Sequence, residues 1–173
     1  MKKILEKFTF IWYYINGKVY KGGMYEMMDI ISLCNYVIKS FNEKDSKITN
    51  LKLQKVLYYI QGYFLKQFNS PAFSEELYCW TYGPVVPLAY YEFNVNGANP
   101  LQHNACVNIN IREEHKKLID TIILRCKDIP SSALVEKTHQ EAPWKNAYRG
   151  DIISKQAIER YFFRNDPLEI CNT

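Results

Sequence analysis

Paired cysteines are missing from this sequence. Cys34, Cys79, Cys106, Cys126 and Cys171 stand far apart, with no CxxC pair and an odd count, which excludes a closed disulfide framework. Reduced, mostly buried thiols are expected instead. Metal-ligand spacing is equally absent: His103, His115 and His139 lie 12 and 24 residues apart, with no HExxH and no paired Cys/His set. Neither of the glycine-rich phosphate loops, GxxxxGKS/T or GxGxxG, occurs, so no metal and no cofactor is expected. No stretch approaches about 20 uninterrupted apolar residues, which excludes a membrane-spanning helix. The first segment, MKKILEKFTFIWYYINGKVYKGG, is broken by Glu6, Lys7 and Thr9 and has no small-residue cleavage site. It does not read as a signal peptide, and a cytoplasmic, soluble protein is expected.

A charge excess is also lacking where it would matter. The formal charge is +4, but residues 1–23 carry five Lys against one Glu, which leaves 17 basic and 17 acidic residues in 24–173. Phosphate binding needs cations clustered on one face, so this balance speaks against a nucleic-acid partner. What the sequence has in quantity is apolar and aromatic material: 47% hydrophobic residues, 15% aromatic and 14 tyrosines in 173 residues. That suits one compact domain with a core, and one exposed face, rich in rings with polar tips. Lys21-Gly22-Gly23 is a tripeptide that purine-rich codons of the ribosome-binding type would encode, and Met24, Met27 and Met28 follow it. Two readings stay open: translation starts there, or the Trp12, Tyr13 and Tyr14 run packs on the domain as a strand or helix.

Helical periodicity dominates the rest. Ile30, Cys34, Val37, Ile38 and Phe41 predict a helix over about 27–41, followed by a polar loop. Thr49-Asn50 is N-cap chemistry, and Leu53, Val56, Leu57, Ile60, Phe64 and Phe68 continue one stripe to the stop at Asn69-Ser70-Pro71. Gly62 within that helix costs about 1 kcal/mol of propensity against Ala, which predicts a neighbouring element passing close. Residues 73–82 read as irregular or one short strand, Tyr82-Gly83-Pro84 as a turn, and Pro87 to Val95 as a short helix ending at Asn96-Gly97. Residues 98–110 read as a loop with at most a strand near Val107 to Ile109. Leu118, Ile119, Ile122, Ile123 and Cys126 mark a helix over 112–127; Ser131 or Ser132 caps a brief one through Val135; Ser154 caps the last, with Ile158, Tyr161 and Phe162 inward. His139 to Asp151 is read as a loop. The expected fold is mainly α: a single compact helical domain of about six helices over 27–173 with at most a short β-hairpin, preceded by an N-terminal extension over 1–26.

Three stretches together resemble the Panacea domain, also called SocA-like, of prophage-associated proteins and bacterial antitoxins. They are TNLKLQKVLYYIQGYFL (Thr49 to Leu65), WTYGPVVPLAYYEF (Trp80 to Phe93), and THQEAPW (Thr138 to Trp144) with AIERYF (Ala157 to Phe162). The resemblance runs from about Met27 to Phe163. The motif positions, structural or partner-binding, are Leu53, Lys55, Leu57, Tyr58, Gln61 and Gly62 in the first stretch. Trp80, Tyr82, Gly83, Pro84, Val85, Val86, Pro87 and Tyr90 fall in the second, and His139, Pro143 and Trp144 in the third. The resemblance implies a helical domain that binds a cognate toxin encoded nearby and blocks it, and that in some members hands the toxin to a AAA+ protease as an adaptor. It implies no catalysis.

Other readings of the same residues stand beside this one. His139 near Glu141 could serve as a base toward a cysteine thiol in a small hydrolase or transferase. Alternatively Thr138 and His139 bond to loop backbone while Pro143 and Trp144 cover the core. A phage-encoded regulator of a host protein would use the same kind of binding surface with a different target. The YGPVVP string reads as a rigid turn, as toxin contact, or as both. Lys52, Lys55, Gln54 and Gln61 are expected on a solvated side of the second helix. Trp80 and Leu57 are expected in the core, with Tyr90 and Tyr91 as exposed rings.

Overall fold

The computed structural model describes residues 10–15, 18–23, 27–106 and 110–170, the first two stretches as backbone alone. Those two form an antiparallel hairpin of β1 (Phe10–Ile15) and β2 (Lys18–Gly23), with Phe10 opposite Gly23 and Ile15 opposite Lys18. Two helices follow, α1 (Ile30–Glu43) and α2 (Asn50–Phe68). Strands β3 (Leu77–Trp80) and β4 (Gly83–Val85) lead into α3 (Pro87–Phe93), which a 3-10 turn over Asn94–Asn96 prolongs. Then come α4 (Glu113–Cys126), α5 (Ser131–Gln140), α6 (Ala142–Lys145), β5 (Ile152–Ile153) and α7 (Lys155–Arg164). Seven α-helices among the described residues make the fold mainly α, as the periodicity predicts.

Local chemistry explains most boundaries. Thr49 Oγ1 accepts from the Lys52 N–H at 3.3 Å and Ser154 Oγ from the Ala157 N–H at 3.2 Å, so these two expected caps are in place. Helix α5 instead begins with Ser131 after Pro130, without a side-chain cap, and runs to Gln140, beyond the expected Val135. Asp29 caps α1 through the Ser32 N–H at 2.8 Å, which starts that helix three residues after Met27. The segment from His139 to Asp151 is not a loop throughout. His139 lies in the last turn of α5, Glu141 breaks the helix with extended backbone (ψ 135), and Pro143 in the first turn of α6 restarts it. Two residues of the same segment's far side, Ile152 and Ile153, form β5 and complete a small antiparallel sheet in the order β4-β3-β5. A two-residue strand carries no period to read. The strand expected near Val107 to Ile109 lies outside the described residues.

Helix α2 is the centre of the molecule. It touches α1, α3, α4, α5, α7 and β4, and 15 of its 19 residues are buried. A helix enclosed on all sides has no solvated face, so Lys52, Gln54, Lys55 and Gln61 are buried, contrary to the expectation for them. Gly62 is where α7 comes closest: a Cβ there would overlap the ring of Phe162. That ring stands edge-on to Tyr58 at 5.6 Å and Tyr63 at 5.1 Å. The expected close approach is thus a helix crossing sealed by aromatic edges.

Candidate partner-binding surface

The buried polar side chains of α2 bond to main-chain atoms of the elements packed around it, most of them outside helices, which is why they are inside. Gln61 Oε1 accepts from the Ala72 N–H at 2.8 Å and its Nε2 donates to the Phe73 carbonyl at 3.2 Å. Gln54 Oε1 accepts from the Val86 N–H at 2.9 Å, Asn50 Nδ2 donates to the Tyr90 carbonyl at 2.9 Å, and Lys55 Nζ donates to the Pro84 carbonyl at 3.0 Å. Lys52 Nζ donates to the Lys127 carbonyl at 2.7 Å, placing a cation at the end of α4. Loop backbone that enters the interior must find partners, and α2 supplies them. Burial pulls the Lys55 ammonium from its ordinary 10.5 down to about 7.

The β3–β4 turn, Thr81-Tyr82, is fixed from both sides. Gly83 has φ +102, and a Cβ there would sit 2.6 Å from Lys55 Cε and 2.9 Å from Thr138 Oγ1, so the turn presses on α2 and α5 as only glycine allows. Thr138 Oγ1 itself bonds within α5, to the Val135 carbonyl at 2.9 Å. Below it, Glu141 is buried and accepts hydrogen bonds from the hydroxyls of Tyr58 at 2.7 Å and Tyr59 at 2.9 Å. Burial raises its carboxyl from 4.5 to about 6, with the two tyrosines and Lys137 working in the opposite direction.

Trp144 connects this interior to the surface. Its Nε1 donates to the Trp80 carbonyl at 3.0 Å, the His139 ring stacks on it at 3.7 Å, and the Arg149 guanidinium carbon lies 3.7 Å from its ring centre. Burial, then Arg149 and Lys55, lower the His139 pKa below its ordinary 6.5, while a backbone hydrogen bond at Thr81 raises it. Cys79, in β3, donates to the Trp144 and Ala147 carbonyls, each at 3.6 Å, and receives Arg149 Nη1 at 3.1 Å. No thiol among the described residues hydrogen-bonds an imidazole. Burial drives the Cys34 thiol up, and that of Cys126 up to about 12, away from nucleophilic chemistry. No group of three or more His, Cys, Asp or Glu among the described residues is placed to hold a metal.

Above these supports lies a groove of about 660 Å³ between the start of α2, the β3–β4 turn, α3 and the chain before β5. Leu51, Trp80, Tyr82, Val85 and Tyr90 line it, and Arg149 is the one charged residue in its wall. Trp80 is not a core residue; it is half-buried, edge-on to Tyr90 at 5.0 Å and to Tyr91 at 6.2 Å. A two-residue turn leaves the end of a hairpin no layer to bury under, which is why the ring lies at the groove. Tyr90 is half-buried too, because Asn50 holds its backbone against α2. Tyr82 and Tyr91 are 67% and 66% exposed, and Leu88 beside them is also exposed. Of the expected motif positions, Leu53, Leu57, Tyr58 and Gly62 form core, Lys55 and Gln61 are internal anchors, and Gly83 to Val86 are buried supports. His139 and Trp144 stack beside the groove wall at Trp80 and Arg149, while Pro143 is buried in α6 away from the groove lining. Arg149 and Leu51 carry no local pattern that would single them out in the sequence; only the tertiary fold brings them here.

Residues 53–145, more than half of the chain and including every motif described above except the first residues of α2 and the α7 stretch, match the profile of the family described as antitoxin SocA-like, Panacea domain. The chain belongs to that family. Its Panacea region contains all of β3, β4 and α3 and most of α2, and so most of the groove. The chain is also similar to Antitoxin SocA of Caulobacter vibrioides (strain NA1000 / CB15N), 33% identical over 72 residues, which are 42% of this chain and 38% of that protein. The matched part is thus about two fifths of the relative's length. No solved structure matches the chain. The family is described as one of SocA-like antitoxins. No helix among the described residues is long and apolar enough to cross a membrane.

Proposed function

We propose that this Panacea-family protein neutralises a cognate toxin, encoded nearby, by direct contact through the groove of Trp80, Tyr82, Tyr90 and Arg149 and the Tyr91 ring that packs against Trp80 and Tyr90 beside it. The observation that carries this reading is the composition of that surface. Tryptophan, tyrosine and arginine are the residues that dominate binding hot spots, and here they surround one concavity. The α2 side chains hold the backbone of Pro84, Val86 and Tyr90 and Trp144 holds that of Trp80, so little ordering entropy is lost there on docking. An acid–base or thiol mechanism would need an activated group in the groove. The carboxyl and the amine with the clearest shifts, Glu141 and Lys55, are instead buried and do not line it. Delivery of the bound toxin to a AAA+ protease belongs to the same proposal as a second step, with the adaptor contact elsewhere on the surface.

The test is co-expression with the neighbouring gene, scored by growth and by pull-down, for the full chain and for Tyr82→Ala and Tyr91→Ala. Wild type is expected to restore growth and retain the toxin. The tyrosine variants are expected to lose both while keeping the wild-type melting temperature, since exposed side chains contribute within about 0.5 kcal/mol to stability. Full neutralisation by the double variant would refute this groove as the contact.

A further inference from the structure

A second concavity, of about 550 Å³, lies between α6, β5 and α7 and shares no lining residue with the first. Pro143, Ala147, Ile153 and Ala157 contribute its apolar surface, and Arg160 and Arg164 are the charged residues in its lining, with no carboxylate among them. Neither arginine forms an ion pair with a described residue, and both are exposed.

The sheet order β4-β3-β5 leaves β5 with an open side. Ile152, Ile153 and Ser154 all line the concavity in succession. Successive strand side chains point to opposite faces, so a surface touching three in a row runs along the strand's edge. The hydrogen-bonding phase agrees. Cys79 N–H donates to the Asp151 carbonyl at 2.8 Å, and the register sets Tyr78 opposite Ile152 and Leu77 opposite Ile153. Alternation along an antiparallel ladder then turns the N–H and C=O of Ile152 away from β3, toward the concavity. Ile152 is itself half exposed. Arg160 and Arg164 are one turn apart, with Cβ atoms about 5–6 Å from each other, and alternate residues of an extended chain are spaced by about 6.6 Å. The separation of the two arginines is thus close to that of carboxylates on every second residue of an extended chain.

We propose that this edge captures an extended, acidic segment of a partner protein as a fourth strand, its alternate carboxylates paired with Arg160 and Arg164. Backbone pairing at the Ile152 edge supplies the main-chain recognition of strand addition, and the arginines select the charge. Charge decides against a second copy of this chain: a two-fold β5–β5 contact would bring four unpaired guanidiniums together.

The test uses the full chain and labelled peptides of alternating valine and glutamate, followed by fluorescence anisotropy. The Val–Glu peptide is expected to bind, and its lysine counterpart to bind at least roughly tenfold more weakly. N-methylation of all the valine amides or of all the glutamate amides blocks opposite edges of the peptide. One of the two methylated forms is expected to lose binding while the other keeps it. Arg160→Gln with Arg164→Gln is expected to weaken the acidic peptide roughly tenfold with no change in melting temperature. Equal binding of the lysine peptide, indifference to both methylation patterns, full displacement by inorganic phosphate, or unchanged affinity in the double variant would each overturn the proposal. The peptide comparisons on wild-type protein keep it open to refutation if the variant fails to fold.

Discussion

Lys55→Met replaces a fully buried ammonium, held by one hydrogen bond to the Pro84 carbonyl, with an uncharged side chain of similar length. The interval from its ordinary 10.5 to about 7 corresponds to about 5 kcal/mol, at about 1.36 kcal/mol per pH unit. The folded-state value is the lower of the two, so this stability is fully present above 10.5 and is lost as pH falls through about 7. Glu141 has the opposite sense: its folded value is the higher, so its contribution is present below 4.5 and lost as pH rises through about 6, a change of about 2 kcal/mol. Together they place a minimum of stability between about pH 6 and pH 7, with an alkaline limb rising by about 1.4 kcal/mol per unit. Urea unfolding followed by circular dichroism at a series of pH values, under reducing conditions, reads this directly. The useful window closes near pH 8.5, because the buried Cys34 and Cys126 thiols, ordinarily titrating at 9.0, contribute the reverse slope above it. In Lys55→Met the alkaline limb is expected to flatten while the acid limb stays. Loss of the bond to Pro84 costs about 1–3 kcal/mol, so the variant leads below pH 7 and its lead shrinks by about 2 kcal/mol up to pH 8.5. An unchanged alkaline slope in the variant, or none in the wild type, would refute the reasoning.

Gly62→Ala is expected to cost about 1–3 kcal/mol by forcing the Phe162 ring from the α2–α7 crossing, seen as a lower urea midpoint; a more stable variant would contradict the packing. Leu57→Ala, in the core, is expected to lose about 2–5 kcal/mol and with it neutralisation. Trp80→Ala, at the groove, is expected to lose less stability and as much binding. Raising salt from low to physiological concentration is expected to weaken toxin binding only modestly, since one arginine lines the groove; a fall of orders of magnitude would point to phosphate contacts. Removing residues 1–23 is expected to leave melting temperature and toxin binding nearly unchanged, which would support the proposal that the domain begins after them; a drop of several degrees would contradict it.

Helices α1, α2, α4 and α7 are legible because each buries a stripe at the three-and-four spacing, and the starts of α2 and α7 because Thr49 and Ser154 are caps; α6, four residues long, carries no period to read. Gly62 was legible for a similar reason: its poor propensity demands a packing cause. The polar residues of α2 were misread since a lysine or glutamine at helical spacing looks the same whether it faces water or the backbone of a distant loop. Lys55 needs Pro84, and Gln61 needs Ala72 and Phe73, before either belongs inside. Periodicity also cannot see where an enclosed helix lacks a solvated side. At the groove, the YGPVVP string reads as a turn, but the turn itself is Thr81-Tyr82 and Gly83 to Val85 form β4. Arg149 reaches the groove through β3, its guanidinium bonding Cys79 and lying over Trp144, contacts that no local pattern announces.

Five hydrogen bonds from the amide and lysine side chains of α2 end on main-chain atoms, those of Ala72, Phe73, Pro84, Val86 and Tyr90. A main-chain atom is present whatever side chain its residue carries. Exchange of the exposed groups at Tyr82, Leu88 or Tyr91 therefore leaves each of these bonds in place, and the turn keeps its course over α2. Such a domain can acquire a different partner by altering a few outward side chains, with no repacking of its interior. One scaffold of this kind is suited to a library in which those positions are randomised and new toxins are selected against it.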